Sequence, residues 1–98
     1  MTNLQIIQAL TTVWLVQTTE MIADSEKEAT LFITLTGQGM AESDVDDCID
    51  IMREGTAEEL LRTMGLDDDF FVGAVEGFNM TFRRWMSSAN NGAEYKYR

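Results

Sequence analysis

Ninety-eight residues suit a single domain whose core is marginal without good packing or a partner. Seventeen acidic against seven basic residues leave a net charge of −10, which repels nucleic acid and anionic membrane and favours a basic partner. No histidine is present, so the usual general base, the usual transition-metal ligand and every Ser-His or Cys-His pairing are missing. These totals argue against an enzyme and against direct nucleic-acid binding, and they give no reason to expect a cofactor or a metal.

The N-terminal stretch has no positive n-region, and Gln5, Gln8, Thr11 and Thr12 interrupt its apolar residues, so neither a signal peptide nor a membrane span fits. The expected location is cytoplasmic. Leu4, Ile7, Leu10, Trp14 and Met21 share one side at helical spacing, and Ile6, Val13 and Val16 widen it, which predicts a helix over 3–23. A face this wide with so few charges opposite it is either a core helix or one that buries its second side in a partner or a twin subunit. A homodimer through that side is the expectation when no partner is present.

Ser25 with Glu28 reads as a capping box, and Gly37 and Gly39 stop the run that follows, giving a second helix over 26–36. Ala29, Leu31, Ile33 and Leu35 alternate with Thr30, Thr34 and Thr36 and fit a strand as well. The helix punctuation at both ends decides for helix. The same grammar recurs. Ser43 opens a helix over 44–54 with Val45, Cys48, Ile49 and Met52 inward, closed by Gly55. Thr56 with Glu59 opens one over 57–64 with Ala57, Leu60, Leu61 and Met64, closed by Gly65. Cys48 lies on an apolar stripe and reads as a small buried hydrophobe.

The last helix spans 68–88. Phe71, Val75, Phe78, Phe82 and Trp85 form an aromatic spine, Asp67 caps the start, and Arg83 and Arg84 sit near the end where the helix dipole is negative. Its glycines, Gly73 and Gly77, predict a closely packed element on the other side. The expected interior joins Phe71, Phe78, Phe82 and Trp85 to Leu60, Leu61, Ile49 and Met52, with this helix as the central element. The expected fold class is therefore all-α, a compact bundle of about five helices, with one domain over 1–88 and a flexible polar tail over 89–98.

Eleven acidic and two basic residues between Glu42 and Asp69 leave −9 in one third of the chain. Asp46, Asp47, Asp50 and Glu54 fall opposite Val45, Ile49 and Met52, as a solvated face would. Together with Asp44 they also suit a binding surface for a positively charged protein helix, or a mimic of nucleic acid in a basic groove. An EF-hand loop starting at Asp44 fails, because Cys48, Ile49 and Gly55 stand where an oxygen ligand, glycine and glutamate are needed.

The Ile6-Ile7 pair opening a long aliphatic helix, the short helix Ser25 to Leu35 closing at Gly37, and Glu76-Gly77-Phe78 followed by Phe82 and Trp85 resemble the layout of the phage anti-sigma factor AsiA family. The resemblance runs loosely from Ile6 to about Met86. The stretch from Gly55 to Leu66 and the run Asp67 to Asp69 depart from that family. The resemblance implies binding to the promoter-recognition end of a bacterial sigma factor through Ile6, Ile7, Leu10 and Trp14. The function expected is that of a small acidic protein that regulates or inhibits a protein partner with a basic and apolar surface. Its partner-binding residues are then Ile6, Ile7, Leu10, Trp14, Asp44, Asp46, Asp47, Asp50 and Glu54. The alternatives are an acidic nucleic-acid mimic and a structural or assembly module.

Overall fold

Thr2 begins the first helix. Its hydroxyl accepts the Gln5 amide at 3.2 Å and the Gln5 side chain accepts the Thr2 amide at 2.8 Å, a reciprocal box that satisfies two otherwise orphaned donors. A computed structural model describes residues 2–78, and all regular structure there is helical. Contacts divide the chain into two compact units, Met1–Leu66 and Asp67–Arg98, and the expected domain 1–88 spans the boundary between them.

In the first unit, α1 (Asn3–Thr18) is followed by a 3-10 turn (Asp24–Glu26), α2 (Lys27–Gly37), α3 (Glu42–Glu54) and α4 (Ala57–Thr63). Helix α1 packs on α2, α3 and α4, and α2 packs on α3. The element that gathers this unit is thus α1 rather than the aromatic helix. Ala9, Leu10, Val13 and Val16 are buried on one side of it. They meet a core of Leu31, Leu35, Val45, Cys48, Met52, Ala57 and Leu61. The threonines that give this segment its strand propensity are accommodated by turning their hydroxyls back on the helix: Thr11 to the Ile7 carbonyl at 2.6 Å, Thr12 to Gln8 at 3.0 Å, and Thr18 to Trp14 at 2.8 Å.

Helix α1 ends five residues before the expected 23. Thr19 is extended, with φ −76° and ψ 143°, and its side chain accepts the Met21 amide at 3.1 Å, a local turn that competes with helix continuation. Met21, expected on the apolar face, is exposed. Lys27 secures the end by donating to the Gln17 carbonyl at 2.8 Å, a cation placed on unsatisfied C-terminal carbonyls.

The strand alternative for 29–36 is excluded by what faces where. Leu31 and Leu35, four apart, have no exposed surface, while Ile33 between them is 69% exposed. A strand would put all three on one face. The helices start within two residues of expectation, but α2, α3 and α4 do so without the expected capping bonds. Ser25 lies inside the 3-10 turn, Ala41 rather than Ser43 precedes α3, and neither α2, α3 nor α4 has a side-chain cap. Gly39, Gly55 and Gly65 take φ of 95°, 72° and 94°. At each, the following amide reaches back five residues, Met40 to Leu35 at 3.1 Å, Thr56 to Ile51 and Leu66 to Leu61 at 3.3 Å, the left-handed ending that favours glycine.

In the second unit, a helix runs from 68 to 78, where the described residues end. Asp67 accepts the Phe70 amide at 3.2 Å, as its capping role requires. Phe71 is buried and meets Phe70 edge-on at 5.4 Å. Val75, expected on the spine, is exposed, and a Cβ built at Gly73 or Gly77 meets no described atom within 4 Å. Close packing on the glycines is therefore not seen among the described residues. Of the other expected core residues, Leu61 and Met52 are buried and Ile49 is half-buried, but Leu60 is exposed. Phe82, Trp85 and the tail 89–98 lie outside the described residues.

Leu35→Ala should cost about 2–5 kcal/mol in urea unfolding followed by circular dichroism. Ile33→Ala should stay within roughly 0.5 kcal/mol of wild type. Equal losses would mean that 29–36 does not bury the side described.

Candidate partner-binding surface

At about 100° per residue, Asp46, Asp47, Asp50 and Glu54 form one continuous arc of α3, away from Val45, Cys48 and Met52. All four are exposed. From Asp46 to Glu54 the helix rises about 12 Å, so the four carboxylates make a short stripe of like charge. Asp44 does not belong to it. It turns toward the other flank of the helix and is half-buried. This separation also removes Asp44 and Asp50 from a common cation site. Among the described residues no group of three or more acidic, cysteine or histidine side chains is placed to hold a metal.

Arg53 bounds the stripe. Its Nε and Nη2 each donate to Glu28 of α2 at 2.8 Å, and its Nη1 lies 3.5 Å from Asp50. The fork links α2 to α3 bidentately, a geometry that arginine and carboxylate share. Hydrogen bonds from Arg53 hold the Glu28 carboxyl below its ordinary value, with a smaller opposing effect of desolvation and a further lowering by the Arg53 charge. Arg53 is pushed up in turn. Asp46, Asp47 and Glu54 form no ion pair within the described residues.

The α1 residues named from the sequence divide. Ile6, Ile7 and Trp14 are half-buried. Leu10 is 6% exposed and belongs to the core. It lies within about 60° of Val13 round the helix, on the side covered by α2, α3 and α4. Its place in a free apolar face is therefore corrected. Leu4, 65% exposed, is the most open apolar side chain of α1. At about 100° per residue Leu4 stands about 120° from Leu10 and about 180° from Val13, on the side away from the buried residues. Cys48 is buried and unpaired, and burial followed by the nearby Asp47 and Asp44 charges pushes its thiol up.

Comparison with known proteins finds no matching family model, curated protein or solved structure. Among the described residues no helix is long and apolar enough to cross a membrane.

Two outcomes follow from this geometry. Because Glu28 titrates lower when folded than when unfolded, the fork's contribution is complete above the ordinary glutamate value and is lost as pH falls through the lowered folded value. Urea midpoints of wild type and Glu28→Gln should differ near neutral pH and converge on acidification and at high salt; a gap that persists in acid would contradict the assignment. Cys48 should react with a thiol reagent only as fast as the protein opens, so rapid labelling of all molecules in native buffer would place it at the surface.

Proposed function

We propose that the protein binds a basic protein partner and regulates or inhibits it, as the resemblance to the anti-sigma family implies, and that it is not an enzyme. The observation that supports this is the exposed α3 stripe, where Asp46, Asp47 and Glu54 form no direct ion pair among the described residues. Ordinary solvation accommodates such a face, but a charge this concentrated also steers a basic target and repels acidic competitors. The partner's nucleic-acid-binding surface has the required sign.

Affinity comes chiefly from apolar contact. Exposed ion pairs are worth about 0–1 kcal/mol each and a fully buried aliphatic side chain about 1.5–3 kcal/mol. On α1 the apolar contact falls to Leu4 and the open edges of Ile6, Ile7 and Trp14, since Leu10 is committed to the core. The same loss leaves less apolar surface for a homodimer than the sequence reading supposed.

One observation favours the nucleic-acid mimic as a second reading. Four carboxylates over about 12 Å of helix average about 4 Å per charge along the axis, with single rises of about 1.5, 4.5 and 6 Å, against roughly 3.4 Å per charge of one nucleic-acid strand.

The two readings separate kinetically. With a partner recovered from a bacterial lysate by the tagged protein, neutralising Asp46, Asp47 and Asp50 together to asparagine should slow association and leave dissociation nearly unchanged. Leu4→Asp should speed dissociation. If the triple variant dissociates faster, affinity falls steeply with salt and Leu4→Asp binds normally, the regulator docks as a mimic and apolar docking is wrong.

A further inference from the structure

We propose that the cleft between the start of α1 and the α2–α3 turn receives a basic side chain, specifically an arginine, of the partner. The proposal rests on the reading that the partner is a basic protein. The cleft has a volume of about 330 Å³ and is lined by Gln8 and Ala9 of α1, Gln38 and Met40 of the turn, and Asp44 of α3. Asp44 is half-buried there, and its carboxylate makes no ion pair or hydrogen bond with the described residues. Lys27 is engaged with Asp24, Arg53 with Glu28 and Asp50, and Arg62 with Glu58. Each described cation is thus committed to other carboxylates, and the carboxylate in this cleft has no ion-pair partner among the described residues.

The walls match a guanidinium better than an ammonium. Asp44 offers two acceptor oxygens, and the Gln8 and Gln38 carboxamides, whose side chains bond to nothing in the described chain, offer two more from other directions. A planar group with five donors uses such a spread, whereas an ammonium is a compact point charge. Ala9 and Met40 give the aliphatic stem an apolar wall. The N-terminal end of α3 adds a partial positive charge of about one half, which Glu42 and Asp44 in its first turn outweigh. A depression beside α4 also carries two carboxylates, Glu58 and Glu59. There Arg62 already pairs with Glu58 at 2.9 Å, so it has less need of an outside cation.

The test is an NMR titration of the full chain with N-acetylarginine amide, against the neutral isostere N-acetylcitrulline amide. The arginine probe should shift the Gln8 and Gln38 side-chain amides and the backbone of Gly39 and Met40. The citrulline probe should not. Asp44→Asn should weaken the arginine probe about tenfold or more, while Asp47→Asn, which removes the same charge from the stripe, should leave it unchanged. If Asp44→Asn does not fold by circular dichroism, Gln38→Leu in the exposed turn should produce the loss instead. Equal weakening by both asparagine variants would mean diffuse attraction to a polyanion, and equal shifts by both probes would mean that charge plays no part; either overturns the proposal, as does the absence of shifts. If the probe fails but a basic partner is still recovered, the cleft reading falls and the regulator reading stands. If the probe binds through Asp44 and no basic partner is recovered, the cleft stands as a cation receptor and the partner reading falls.

Discussion

A helix with no charged residue among its sixteen is stable in water only if it is covered on more than one side, and the Met1–Leu66 unit is built by covering α1. Val13 has no exposed surface, and Ala9, Leu10 and Val16 flank it against α2, α3 and α4. Those three helices are short, and α4 has only seven residues. Isolated helices of that length are marginal, so their stability comes from the face each lays on α1 or on a neighbour. Among the described residues, the core they share has no buried charged residue.

That division gives the surface its character. Helix α3 spends Val45, Cys48 and Met52 on the core and so presents Asp46, Asp47, Asp50 and Glu54 outward. Its left-handed ending at Gly55 turns the chain sharply into α4. At the opposite end, the Gly39 turn lies with Asp44 beside the start of α1, and Asp44 is apart from the other carboxylates because it falls on another flank of α3. One acidic helix thereby carries carboxylates in two environments, an exposed stripe and a half-buried position.

The sequence made the helical class and the glycine-marked helix stops legible for physical reasons. A glycine at positive φ ends a helix, and the 3.6-residue spacing of Val45, Cys48 and Met52 admits one inward face. The starts fall within two residues of expectation, although Ser25, Ser43 and Thr56 make no capping bond. The end of α1 was misread because Thr18 and Thr19 are compatible with a helix, and a turn bond from Thr19 to Met21 decided the matter. The site was legible in its charge and not in its apolar part. A helix apolar on both sides does not reveal which side is covered, so Leu10, expected at a partner, lies in the core.

Helix α1 is the element whose covering holds the first unit together. Native-state amide hydrogen exchange across a series of low denaturant concentrations tests this directly. The amides of Leu10, Val13 and Val16 should be among the slowest in the chain and should share the denaturant dependence of the Leu35 and Met52 amides, because α1 cannot open without releasing α2 and α3. If the α1 amides instead exchange early, by a local opening with little denaturant dependence, while α2 and α3 stay protected, then α1 is a peripheral helix and the core is organised without it.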